Sequence, residues 1–275
     1  MRFAICNELY QGWKIEDVFA HAAKAGYAGV EIAPFTLADD VREVPAARRK
    51  EIRRAAAGEG LEITGLHWLL LKPAGLHINH PDGATRKKTE AYVEALIELC
   101  ADLGGSTMVW GSPKQRYVQP GDSWLEAWKR TVDVLRRLGA KAHARGVTIA
   151  FEPLGPADNC NFVNTTGEGS LLVREVDSPG VRLHLDVKAM KSENRPVAET
   201  IRLEGGTHLH YFHANDPNLR GPGMGEEDFK PILRALKDVG YDGWVSVEVF
   251  DYEPGPDKTA SISLKTLKDA LTAAT

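Results

Sequence analysis

Four side chains, Glu152, Asp186, His213 and Glu248, each lie near the end of an apolar, β-forming run. The runs read VTIAFEPL, VRLHLDV, THLHYFHAND and GWVSVEVF. An ionisable group inside such a run is costly to bury unless something pairs it. One divalent cation shared by all four would do so. Three carboxylates and one imidazole form a hard, mostly oxygen ligand set. That set favours Mn²⁺ first, then Mg²⁺, with Co²⁺ and Zn²⁺ also able to occupy it. Taken singly, each residue has a plainer explanation: a salt bridge or cap for a strand carboxylate, a satisfied core position for a strand histidine. Four such residues at parallel positions, 27 to 35 residues apart, favour a shared site, with one strand-and-helix unit per step.

Four strand ends meet at one point in a closed parallel barrel, where active sites lie at the C-terminal mouth. Eight β-type runs begin near Arg2, Tyr27, Leu61, Ser106, Val147, Val181, Thr207 and Gly243. Helical stretches fall between and after them: 14–25, 45–60, 82–103, 122–145, 168–176, 196–203, 226–239 and 258–274. Pro45 and Pro196 suit a first helical turn, where a missing N–H costs nothing. Gly26, Gly60, Gly146 and Gly240 suit left-handed caps. The alternation gives a (β/α)₈ TIM barrel, and a barrel leaves no exposed sheet edge. The 275 residues suit a single barrel domain, 1–275, without linker or low-complexity tract.

Other residues fall at the expected mouth. His67, ending LEITGLHW, either contacts substrate or packs beside Trp68. Glu31, ending GVEI, stands either behind the ligands or against substrate. His184 shares a strand face with Asp186 and is expected to hydrogen-bond behind the ligands. His208 and His210 have the opposite parity to His213 and are expected to face the helices. Trp68 and Trp110 would form an apolar wall, while Trp13, Trp124, Trp128 and Trp244 would pack in the outer shell. Lys114, Arg116, Lys188 and Arg220 place up to four cations around the mouth. They either select an anionic sugar or are solvated loop charges.

The motifs FEPLG, Asn164-Thr165, LHLDV and the stretch from His213 to Phe250 together resemble the sugar isomerase/epimerase superfamily. These proteins share the xylose-isomerase-like barrel, and the resemblance is to ketose 3-epimerases in particular, over essentially the whole chain. The resemblance implies a Glu, Asp, His, Glu metal set at Glu152, Asp186, His213 and Glu248. It also implies that Glu152 and Glu248 move protons and that Arg220 contacts substrate. Two departures bear on the substrate but leave the metal chemistry intact. Ala189 stands where such epimerases carry a histidine, with Lys188 beside it, and FEPLG is not followed by their Asn-Arg-Phe-Glu pattern.

The expected activity is metal-dependent epimerisation or isomerisation of a sugar or polyol derivative by proton transfer next to a carbonyl. The cation would stabilise the enediolate, and the two glutamates would remove and return the proton. Dehydration or β-elimination of a keto-polyol or keto-sugar fits the same platform. An abasic-site endonuclease shares the fold but needs more histidines and a basic groove. The net charge of −4, with charges interspersed, speaks against a nucleic-acid partner. No apolar run is long enough to span a membrane, and MRFAICNELY reads as a strand and not a signal peptide. Three widely spaced cysteines imply a reduced, cytoplasmic protein. The resemblance implies a homodimer or homotetramer.

Overall fold

The computed structural model describes residues 1–206 and 208–274. Eight parallel strands close in chain order: β1 (Arg2–Cys6), β2 (Gly29–Ile32), β3 (Glu62–Leu66), β4 (Thr107–Trp110), β5 (Thr148–Phe151), β6 (Val181–Asp186), β7 (Leu209–Ala214) and β8 (Trp244–Val247). Pairing of β1 with β8, Ile5 opposite Val247, closes the ring. The expected start of the seventh strand at Thr207 lies outside the described residues. Helices α1 (Ile15–Ala25), α2 (Ala46–Gly58), α3 (Gly83–Leu103), α4 (Trp124–Ala144), α5 (Thr166–Val176), α6 (Val187–Lys191), α7 (Val197–Glu204), α8 (Phe229–Asp238) and α9 (Pro256–Ala273) surround it. No helix among the described residues is long and apolar enough to cross a membrane.

Alternation along each strand sorts side chains between two layers. Phe3, Ile5, Val30, Ile149, Leu183, Phe212 and Val245 join the main core with the helices. A second cluster, Ala4, Val109, Ala150, Tyr211 and Trp244, fills the barrel interior. Small residues make room for the large ones there. A Cβ on Gly65 would come 2.0 Å from the Thr107 carbonyl oxygen, so only glycine lets β3 and β4 approach this closely. Positions two residues further along the same strands point to the mouth. Thus Ala150 leads to Glu152, Tyr211 to His213 and Trp244 through Ser246 to Glu248.

Gly26, Gly60, Gly146 and Gly240 all have positive φ, as left-handed caps should. Pro45 and Pro196 stand one residue earlier than expected, as N-caps of α2 and α7. Helix α5 begins with a capping box between Thr165 and Glu168. Helix α6 was not expected. Asp186 ends β6 and caps α6 at once, accepting from Ala189 N at 2.7 Å. Lys188 therefore lies on a helix, in the first turn of α6.

The parity assigned to His210 is also corrected. The pairing of β6 with β7 slips between Leu183 and His184, so that Leu183 opposes Leu209 while His184 opposes Tyr211. His210 is the extra residue. Its Nε2 lies 3.1 Å from Thr107 Oγ1, across the barrel on β4, and it does not face the helices.

Candidate metal centre

Glu152 follows β5, Asp186 ends β6, His213 is the penultimate residue of β7, and Glu248 follows β8. Each offers one ligand atom, and those four atoms lie within 4.8 Å of one another. All four residues are buried. Their orientations are fixed by neighbours. Asp186 Oδ2 accepts from Asn215 Nδ2 at 2.5 Å, while its Oδ1 caps α6. Glu248 Oε1 accepts from Trp68 Nε1 at 2.9 Å. Glu248 Oε2 lies 3.1 Å from His213 Nδ1. The other ring nitrogen of His213, Nε2, lies 3.0 Å from Glu31 Oε2.

The electrostatics follow from this crowding. Burial, then Asp186 and Glu248, raise the Glu152 carboxyl well above its ordinary range. Burial, then Glu248, raise Asp186 to about 6. Burial would raise Glu248 too, but His213 outweighs it and holds the group low. Burial opposes charge on His213, yet Glu31 and Glu248 on its two sides push its pKa well up. Three carboxylates thus converge on one imidazole that Glu31 already engages. Among the described residues no lysine or arginine forms a direct ion pair with them, although Lys188 and Arg116 lie near enough to offset part of their charge. Arg116 Nη1 donates to the main-chain oxygen of Glu152 at 2.6 Å, not to its carboxylate. Lys188 pairs with Asp158. The surplus of buried negative charge and the hard donor set fit a divalent cation.

Behind the four runs an acid–imidazole row. Glu248, His213, Glu31, His67 and Glu8 follow one another, with N···O separations of 3.1, 3.0, 3.8 and 2.7 Å. Burial works against Glu31 ionising, but His213 and then His67 hold its pKa far below the usual range. Cys6 Sγ donates to Glu31 Oε2 at 3.4 Å, and burial followed by Glu31 pushes the thiol up to about 12. Cys6 is therefore a neutral packing group.

The remaining expected residues are placed as follows. His67 is fully buried, with Nε2 bonded to Glu8, and belongs to the layer beneath the four. Glu31 likewise stands behind the ligands, with no exposure. His184 faces the site with its ring centroid 4.2 Å from that of His213, but neither of its nitrogens has a hydrogen-bond partner among the described residues. Burial and His213 keep it neutral. Trp110 is wholly buried, whereas Trp68 does more than form a wall, since it anchors Glu248. Arg116, expected at the mouth, is instead buried against Phe151. Arg220 bonds Asp251 Oδ2 at 2.7 Å, and Lys114 is exposed in the turn after β4. The structure does not gather the four cations around one anion. Trp128 packs in the shell as expected, but Trp244 joins the cluster inside the barrel, and Trp13 is 43% exposed and Trp124 41%. Sequence reasoning passed over Glu8 and Asn215. Asn215 carried a signal, being two residues after His213 and hence on its face of the chain. Glu8 sits in a turn without periodicity.

A closed eight-stranded parallel barrel with an acidic, histidine-containing mouth defines a class, and the sequence agrees. The family model of the xylose isomerase-like TIM barrel matches residues 19–270, and the chain belongs to that family. Among characterised relatives it is similar to the D-psicose 3-epimerase of Ruminiclostridium cellulolyticum, with 29% identity over 237 residues, 83% of this chain and 75% of that one. Of solved structures, an L-ribulose 3-epimerase superposes with TM-score 0.84 at 22% identity, covering 99% of this chain and 95% of its own. The 3-keto-D-glucoside 4-epimerase of E. coli gives TM-score 0.81 at 22% identity, covering 98% and 99%.

Proposed function

We propose that this chain is a carbohydrate isomerase: a divalent-cation-dependent epimerase that inverts a carbon next to the carbonyl of a keto-sugar. The observation that carries this reading is the convergence of four buried ligand atoms within 4.8 Å, with no direct lysine or arginine ion pair to their carboxylates among the described residues. The ketose 3-epimerase relative supports the reaction class over elimination and over DNA cleavage. Glu152, Asp186, His213 and Glu248 would hold the cation. When bound there, a divalent cation supplies Lewis acidity toward adjacent carbonyl and hydroxyl oxygens. Manganese is the first choice by ligand type.

The protein supplies the proton transfers. Glu152 and Glu248 directly follow β5 and β8, and one takes the proton from the carbon while the other returns one from the opposite side. Trp68 holds Glu248 through Oε1, so this carboxylate is aimed and not free to swing. Asn215 and the α6 N-terminus hold Asp186 in place. Burial keeps bulk water from competing for the exchanged proton. Lys188 and Arg220, both ion-paired to carboxylates, make a neutral sugar the better substrate. His67 acts through Glu8 and Glu31 and does not touch substrate. A small sugar is the only partner this reaction needs, in a dimer or tetramer of cytoplasmic enzyme.

The test combines metal analysis with a panel of D-psicose, D-fructose, D-tagatose and L-ribulose in D₂O. The expected result is one deuterium incorporated at the inverted carbon, lost in both Glu152→Gln and Glu248→Gln. Undiminished deuterium incorporation by both variants would remove these residues from the chemistry.

A further inference from the structure

Beside the candidate metal centre lies a second cavity of about 360 Å³. Four aromatic residues, Tyr10, Trp13, Phe35 and Tyr252, wall it, and Glu8 lies at its inner end. None of the four candidate metal ligands lines it, and no lysine or arginine does. Yet the two sites adjoin. Ligand atoms of Glu8, His67 and Glu248 lie within 4.8 Å of one another. Trp68, which anchors Glu248, meets Phe35 edge-on at 6.2 Å. A molecule at the metal centre that extends past Trp68 therefore enters this cavity.

Its lining is chemically specific. Glu8 is 4% exposed; its Oε2 is taken by His67, and its Oε1 has no hydrogen-bond partner among the described residues. A buried acceptor without a donor is costly, and a ligand hydroxyl would satisfy it. Trp13 is 43% exposed at the rim, with Tyr10 edge-on to it at 5.4 Å. Aromatic faces pack against the flat C–H patches of a closed sugar ring, whereas the open tail of a short ketose presents no such face. Aromatic walls with a few polar groups, Glu8 together with Asn7, Gln11 and Thr36, form a ligand site, and the lack of a lining cation argues for an uncharged ligand.

We propose that this cavity is a second sugar subsite, so that the substrate is an uncharged keto-sugar carrying a further glycosyl ring. This rests on the epimerase reading and narrows its substrate class. Trp13 packs against the added ring, and Glu8 accepts from one of its hydroxyls.

The test uses Mg²⁺-loaded protein and two unreactive probes, methyl β-glucoside and methyl β-cellobioside, followed by saturation-transfer NMR and calorimetry. Both rings of the cellobioside should receive saturation, and it should bind about tenfold tighter than the glucoside. Trp13→Ala and, separately, Phe35→Leu should bring that ratio to about one. Equal affinity for the two probes in the native protein overturns the proposal, as does a ratio that survives both substitutions. Tighter binding of phenyl β-glucoside than of the cellobioside would also overturn it, by assigning the cavity to an aromatic group. A parallel assay compares kcat/KM for 3-keto-glucose and 3-keto-cellobiose. Turnover of the single ring with no preference for the disaccharide sinks the subsite and leaves the epimerase reading standing. Two-ring binding without turnover of either, or of any ketose in the D₂O panel, sinks the epimerase reading and leaves the subsite.

Discussion

Glu31→Gln is the most informative single change, because it alters charge while keeping shape. In the structure Glu31 Oε2 accepts from His213 Nε2 at 3.0 Å, and both residues are fully buried. That bond keeps a proton on Nε2 and leaves Nδ1 as the nitrogen that faces Glu248 and the other ligands. The introduced amide could still accept through its oxygen, but without the charge that strengthens the bond. If it turns its NH₂ to Nε2, the ring proton must move to Nδ1, where a cation has to bind. Loss of such a supporting carboxylate typically costs 10- to 100-fold in metal affinity, or about 1.4 to 2.7 kcal/mol. The metal-free protein should lose about 1–3 kcal/mol as well. Calorimetric titration of Mn²⁺ into native protein and variant reads the first quantity; denaturant melts of both in chelator read the second. The two must be separated, because a cation bound only to the folded state also raises apparent stability. Equal Mn²⁺ affinity in the two proteins, with the variant folded, would refute the reasoning that Glu31 sets the tautomer of His213.

Three further outcomes are expected. In Gly111→Ala the new methyl would come 2.3 Å from Glu152 Oε2, so the carboxylate must move; turnover should fall about 100-fold with little change in the denaturant midpoint. Asn215→Ala removes the donor to Asp186 Oδ2 and the acceptor of Lys188 N; it should cost about 1–3 kcal/mol, measured by urea melts, and weaken Mn²⁺ binding about tenfold. For His210, burial and then Arg182 lower the pKa from 6.5 to about 4. Between those values the unfolded chain takes up a proton that the folded protein refuses, so this group makes stability fall as pH drops from 6.5 to 4. His210→Gln should make the pH profile of stability shallower in that window by about 1.4 kcal/mol per pH unit, and an unchanged slope would place the titration elsewhere.

Much of this architecture is legible in the sequence because period-two apolar runs, helical stretches and positive-φ glycines agree with one another. The ligand set is legible for a related reason: Glu152, Asp186, His213 and Glu248 contradict the apolar runs that carry them, and only a shared site resolves the contradiction. What escaped was what depends on partners distant in sequence. Arg116 and Lys188 are cations whose roles are set by Glu152, Phe151 and Asp158, none of them adjacent in sequence. His210 changed sides because of a one-residue slip between β6 and β7, which no local pattern marks. Helix α6 is five residues long and starts on the last residue of a strand, too short for a helical period to register. Trp13, expected in the shell, stands instead at a cavity rim because it follows the turn after β1.

The acid–imidazole row has one more consequence. Its members come from the first, second, third, seventh and eighth strands or the turns that follow them, so it straddles the line where the two ends of the chain meet. The amino-terminal half brings two carboxylates, Glu8 and Glu31, with one imidazole, His67, and the carboxy-terminal half brings His213 without the Glu31 that holds its Nε2. Fragments split between β4 and β5 should therefore each be poor at holding Mn²⁺, and mixing them should restore the affinity only as the ring closes.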